Sequence, residues 1–196
     1  MKLLFENWRQ YLLSEKLLLK PGPGGWDLYG KLVAEAYRKA TSSDSDAGPW
    51  HALERWIPKM FKRIVGLGSL DVEFVDEDPY EDDEELRNQV RETGVLKVWR
   101  GGTTHPIWST EINLQFRAIH DWMGHVQPSG KPSFGIQGEI AAYNAHLHTI
   151  PSEAIPAMFS EVVGQASYVI NYGSFPSQKI ACLLYTSDAA DDLLCV

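Results

Sequence analysis

The sequence has few cysteines, no long apolar run and no excess of positive charge. Its only two cysteines, Cys182 and Cys195, lie within the last fifteen of 196 residues and say little about the redox compartment. No stretch reaches the roughly 18 to 20 consecutive apolar residues of a membrane-spanning helix, and the opening residues, MKLLFEN, lack the apolar centre of a signal peptide. The 18 basic side chains against 26 acidic ones give a net charge of −8, which argues against a broad phosphate-binding surface. We therefore expect a soluble, intracellular, cytoplasmic protein that binds neither membranes nor nucleic acids.

The chain is rich in apolar residues, and most of them recur with helical spacing. Hydrophobic residues make up 44% and aromatic ones 11%, which is enough for a packed core and argues against disorder. The helices predicted from this spacing cover 5–18, 27–40, 49–65, 111–123, 135–148 and 153–172, and alternating apolar residues predict strands over 70–75 and 95–99. The expected fold class is mainly helical, of the α+β type, with a small two-stranded sheet.

The C-terminal end differs in character from the rest of the chain. Its run LLYTSDAADDLLCV, residues 183–196, is similar to the translated sequencing-adapter read-through found at the ends of metagenomic open reading frames. We expect a single metal-binding helical domain over residues 1–181 and a non-native tail over 182–196. A short, frayed, acidic C-terminus is the alternative. The sequence makes no prediction of the oligomeric state.

Two histidines stand in the segment HDWMGHV, residues 120–126, at the end of a predicted helix. On an unbroken α-helix, residues five apart point about 140° away from each other, so His120 and His125 would not face one point. Gly124 precedes the second histidine, and we expect the backbone to leave the helix there so that His125 turns back toward a metal held by His120.

A third ligand is expected from the last predicted helix, where Glu161 lies among apolar residues. A buried carboxylate is costly unless a cation or hydrogen bonds satisfy it. Glu161 shares a helical face with Gln165, four residues on, which is a candidate to support a ligand or to replace one. The alternative is that this row is the solvated face of an amphipathic helix.

The segment HDWMGHV is similar to the iron-binding HDxxGHV or HExxGHV segment of the pterin-dependent aromatic amino acid hydroxylases. The resemblance covers about residues 119–173. It implies that His120, His125 and Glu161 bind a non-haem Fe(II), and that the fold partly follows that of the hydroxylase catalytic domain. It further implies a monooxygenase that uses O2 to hydroxylate an aromatic or related small substrate, with a reductant such as tetrahydropterin.

Other enzyme classes and a non-enzymatic role stay open. Two histidines and a glutamate also bind Zn(II), which supports hydrolysis. The pattern HDWMGH…GE is similar to that of metal-dependent phosphohydrolases of the HD type. A helical phage or accessory protein with structural histidines is the non-enzymatic alternative.

Four further residues are candidates for supporting roles. Asp121 either orients a ligating imidazole or caps the local turn. Glu139 and His146 share a helix face and are alternative or second-site ligands, although a histidine near a helix C-terminus also satisfies carbonyl groups there. Arg100, at the end of a predicted strand, is a candidate to bind a substrate carboxylate, with an exposed strand-end arginine as the alternative.

Overall fold

The computed structural model describes residues 25–43, 47–66, 70–102, 104–127, 134–181 and 183. Its helices and strands follow one another along the chain as α1 Gly25–Lys39, α2 Ala47–Gly66, β1 Asp71–Val75, α3 Asp83–Thr93, β2 Val95–Trp99, α4 Thr110–His120, α5 Ile136–Leu147, α6 Ile155–Phe159 and α7 Gln165–Tyr172. A π-helical turn, Asp121–Val126, continues α4, and a second one, Ser160–Gly164, joins α6 to α7. The protein is mainly helical with a small two-stranded sheet, as the sequence predicts.

Most predicted elements are confirmed to within two or three residues. The helix predicted over 153–172 begins with a 3-10 turn, Ser152–Ala154, and runs through α6 and α7 with the π turn inside it. The helix predicted over 5–18 and most of the proposed tail lie outside the described residues. Within the described part of the chain, no helix is both long and apolar enough to cross a membrane.

Helix α2 runs along the hydrophobic core and packs against α4 and α6. Its apolar residues recur three and four apart and are buried: Trp50, Leu53, Trp56, Ile57, Met60 and Ile64. Helix α1 packs against α7. The burial of this stripe holds α4, which ends at His120, and α6, which precedes Glu161, against α2.

The two strands are parallel, with Asp71 opposite Val95 and Val75 opposite Trp99. Parallel neighbours need a crossover connection, and α3 supplies it. This helix begins at Asp82, whose side chain accepts a hydrogen bond from the backbone N–H of Glu85. It ends at Gly94, whose φ of 71° is left-handed. Helix α3 lies beside the π turn that follows α4, and β2 packs against α4 itself.

The segment after α7 returns to α1 in an extended conformation. Lys179 Nζ donates to the carbonyl oxygens of Tyr37 at 2.8 Å and Ala40 at 2.9 Å. These carbonyls have no partner within the helix, so the ammonium group closes the C-terminal end of α1. Leu183, the first residue of the adapter-like run, is buried beside Gly164.

Candidate metal centre

The two histidines of the HDWMGHV segment meet because the helix widens into a π turn. The backbone N–H of Gln127 donates to the carbonyl of Trp122, five residues earlier, at 2.9 Å. A π turn has more residues per turn than an α-helix, so side chains five residues apart lie nearer to one face than they would on an α-helix. The Nε2 atoms of His120 and His125 are therefore 3.1 Å apart. The expected convergence of the two imidazoles is found.

The prediction that the backbone leaves the helix at Gly124 is wrong. The helical path continues through Val126, and Gly124 does not have a positive φ. Glycine is required here for close packing instead. A Cβ on Gly124 would lie 2.7 Å from the Cβ of Ala142 on α5 and 3.5 Å from Nδ1 of His120. Its absence lets α5 approach the π turn.

Helix α5 brings a carboxylate to the two imidazoles. Glu139 Oε2 lies 3.3 Å from His120 Nε2, and Glu139 Oε1 lies 3.6 Å from His125 Nε2. Ligand atoms of the three residues lie within 4.8 Å of one another. Two ligands bound about 2.0 to 2.2 Å from one metal ion are about 2.8 to 3.6 Å apart at octahedral or tetrahedral angles. The cluster has the spacing and the ligand types to hold a metal ion.

The charge at this cluster is suited to a cation. Burial acts to raise the pKa of Glu139, but hydrogen bonds and charge from His120 and His125 outweigh it and lower the pKa from 4.5 to about 2. Glu139 is therefore ionised at neutral pH. Asp121 lies within electrostatic reach of all three residues, and burial raises its pKa against the opposing charges of the histidines and of Arg117.

The cluster is closed on one side and open on the other. His125 is fully buried, and the ring of Phe134 meets it edge to face at 5.0 Å between centroids. The side chain of His120 is 18% exposed, whereas that of Glu139 is 9% exposed. An ion held here would be reached by solvent or substrate from the side of His120.

A third imidazole lies behind His120. His146, two turns after Glu139 on α5, is fully buried, and its Nε2 is 3.4 Å from Nδ1 of His120. Burial lowers the pKa of His146 well below 6.5, and the charges of His120 and His125 lower it further. His148 is exposed, so one histidine of the pair points inward, as the helical spacing predicts.

Glu161 is buried in a separate polar cluster. Its Oε1 accepts hydrogen bonds from Trp50 Nε1 at 2.7 Å and from His105 Nε2 at 3.3 Å, and its Oε2 accepts one from Gln165. His105 Nδ1 accepts from the backbone N–H groups of residues 107 and 108, so its proton is on Nε2 and is donated to the carboxylate. The solvated-face alternative is wrong for Glu161 and Gln165, because hydrogen bonds satisfy the buried carboxylate.

The arginine after β2, Arg100, and the arginine on α4, Arg117, bind different kinds of partner. Arg100 pairs with Asp76 at 3.2 Å, with both side chains largely exposed. Arg117 donates instead to the carbonyl oxygens of Trp99 at 3.0 Å and Gly101 at 2.6 Å, which fixes the turn after β2. Arg100 is thus an exposed arginine at a strand end, paired with Asp76. The charge of Arg117 acts to lower the pKa of Asp121, which burial raises.

The structure brings together three of the candidate residues, but the carboxylate among them is that of Glu139 and not that of Glu161. His120 and His125 form the cluster with Glu139, which the sequence indicates only as an alternative ligand, and Glu161 is not part of the group. The roles of His105 and Trp50 around Glu161 are not apparent from the sequence. An isolated histidine beside a proline in a loop is the only local signal for His105.

Comparison of the chain with protein-family models, with curated proteins and with solved structures finds no match in any of the three. The resemblance to the aromatic amino acid hydroxylases therefore depends on the histidine segment alone.

Proposed function

We propose that this protein is a metal-dependent enzyme whose single divalent transition metal is bound by His120, His125 and Glu139. The observation that carries the proposal is the spacing of the ligand atoms, with edges of 3.1, 3.3 and 3.6 Å. Two neutral imidazoles and one carboxylate leave a divalent ion with a net charge of about +1 and with free coordination positions. The partly exposed edge of His120 gives those positions a path to solvent.

The activity we propose first is that of a non-haem Fe(II) monooxygenase. Two histidines and one carboxylate around an iron with open positions are typical of oxygen-activating enzymes. In such a reaction one atom of O2 enters a small substrate and the other leaves as water, with two electrons from a reductant such as tetrahydropterin. The similarity of residues 120–126 to the hydroxylase segment supports this choice, and the exchange of Glu161 for Glu139 weakens it.

A metal-dependent hydrolase is the second candidate, and one observation favours it. The carboxylate beside the two histidines belongs to the Gly138-Glu139 pair, which is the GE element of the HDxxGH…GE pattern. Two histidines and a glutamate bind zinc in several hydrolases, where the ion lowers the pKa of its bound water to about 7. Asp121, the second residue of the HD pair, lies within electrostatic reach of the same cluster.

Metal analysis of the full chain separates these functions. Protein produced in iron-supplemented medium and purified without oxygen should contain one iron per chain. The variants His120→Ala and Glu139→Ala should lose it, and His148→Ala, which removes an exposed histidine on the same stretch of chain, should keep it.

The bound metal then selects the activity assay. Iron together with pterin-dependent oxygen uptake on aromatic amino acids supports the monooxygenase. Zinc together with turnover of nucleotide phosphates supports the hydrolase. A folded chain that binds neither iron nor zinc contradicts the proposed function and favours a structural role for the histidines.

A further inference from the structure

Behind the proposed metal ligands, His146 is held in one place by its neighbours. Its ring lies 5.6 Å from the ring of His120 at an interplanar angle of 27°, and Trp56 meets its other side edge to face at 6.4 Å. Trp56 is itself fixed, because its Nε1 donates to the carbonyl of Thr149 at 2.9 Å. The Nε2 atom of His146 therefore faces Nδ1 of His120 across 3.4 Å.

Only one proton can lie between these two nitrogens. The nitrogen that carries this proton decides whether Nε2 of His120 has a lone pair for a metal. A neutral imidazole has one N–H and one lone pair. If His146 donates, the proton of His120 must be on Nε2, which then has no lone pair for a metal. If His120 donates from Nδ1, its Nε2 lone pair faces His125 and Glu139. Metal-binding histidines usually donate their second N–H to a fixed acceptor in this way.

We propose that His146 is a positioning residue that accepts a hydrogen bond from the Nδ1–H group of His120 and so keeps Nε2 of His120 available to the metal. This inference rests on the proposed metal site and extends it to a residue that does not touch the ion.

Several features of the pair support this role. His146 is fully buried, so water cannot replace it as the acceptor. When Nε2 of His146 accepts, the proton of His146 is on Nδ1, which has no hydrogen-bond partner among the residues that the structure describes. This unpaired N–H opposes the arrangement, and metal binding at Nε2 of His120 must outweigh its cost. A neutral imidazole also accepts the hydrogen bond without adding a second negative charge beside Glu139, which leaves the net charge of the site unchanged.

The first test compares zinc affinity among variants of the full chain, measured by competition with a chromophoric chelator. His146→Leu removes the acceptor, and we expect it to weaken zinc binding by about 10- to 100-fold. His146→Gln places an amide oxygen near the former Nε2 and should recover most of the affinity. His148→Leu is the matched control on the same stretch of chain and should bind zinc as the wild type does.

The second test reads the proton position directly and needs no variant. In zinc-loaded protein with 15N-labelled histidine, NMR should show His120 bound through Nε2 and protonated at Nδ1. The Nδ1 proton should show a coupling across the hydrogen bond to Nε2 of His146. This measurement decides the question by itself if His146→Leu does not fold.

Three results would overturn the inference. The first is wild-type zinc affinity in folded His146→Leu, and the second is a His120 that binds zinc through Nδ1. The third is two zinc ions per chain that both depend on His146, because His146 would then be a ligand. Failure of the metal site itself is distinct, since it appears as an absence of zinc binding in the wild-type protein.

Discussion

The two buried glutamates should respond in opposite ways when each is changed to glutamine. Glu139→Gln replaces a charged ligand oxygen, 3.3 Å from His120 Nε2, by a neutral one. Because removal of a residue that only supports a ligand costs about 10- to 100-fold in metal affinity, loss of the ligand charge should cost more than about 100-fold. That factor corresponds to about 2.7 kcal/mol of binding free energy. Glu161→Gln should leave zinc affinity within about threefold, which is about 0.7 kcal/mol.

Metal-free Glu161→Gln should also be less stable than the metal-free wild type. The carboxylate of Glu161 accepts from Trp50, His105 and Gln165, and an amide group presents an N–H to at least one of these donors. A buried donor without an acceptor costs about 1 to 3 kcal/mol, so metal-free Glu161→Gln should unfold more easily in urea than the wild type.

The assay is thermal unfolding with and without zinc, in which bound metal raises the unfolding temperature. We expect zinc to stabilise Glu161→Gln as much as the wild type and to stabilise Glu139→Gln little. Loss of the zinc effect in Glu161→Gln together with its retention in Glu139→Gln would refute the assignment of the carboxylate.

Three further substitutions are each tested by urea unfolding and zinc titration. The first two change the packing around these clusters, and the third changes the C-terminal end of α3. Gly124→Ala places a Cβ 2.7 Å from that of Ala142 and should cost about 1 to 3 kcal/mol and weaken zinc binding; an unchanged affinity would show that α5 does not depend on this approach. Trp50→Phe removes the 2.7 Å donor to Glu161 and should cost about 1 to 3 kcal/mol without changing zinc affinity, whereas a loss of zinc would link the two clusters. Gly94→Ala forces a side chain into the left-handed conformation at φ 71° and should cost about 1 kcal/mol of stability. An unchanged stability would contradict the left-handed conformation of Gly94 at the end of α3.

Both strands and the described helices other than α3 could be predicted, because local signals agree with the tertiary structure. Helix α3 lies in an acidic stretch and is not predicted from apolar spacing. Helix α2 has an apolar residue at nearly every third or fourth position, and its buried residues are those of that stripe. The two strands alternate and are bounded by turn residues. That they are parallel follows from the helix between them, which packs beside β2 as a crossover connection.

The convergence of His120 and His125 could be predicted from the sequence, but the π turn that produces it could not. The segment resembles a known metal-binding pattern, which makes convergence the natural expectation. Glycine suggests a helix end, because it favours left-handed conformations there. In this chain Gly124 instead makes room for Ala142, a residue on another helix whose approach leaves no local signal in the sequence.

The choice between Glu161 and Glu139 depends on tertiary contacts. Both residues lie on helices that follow the two histidines, and both are buried. What separates them is which polar groups the other elements bring near each. Trp50 from α2 and His105 from a loop satisfy Glu161, whereas Glu139 meets the imidazoles of the π turn.

The most direct test of the metal centre is the crystal structure of the full chain grown with zinc, with data collected above and below the zinc absorption edge. We predict one anomalous peak per chain, about 2.0 to 2.2 Å from Nε2 of His120, Nε2 of His125 and a carboxylate oxygen of Glu139. A peak beside Glu161 and His105, or no peak among His120, His125 and Glu139, would contradict the account.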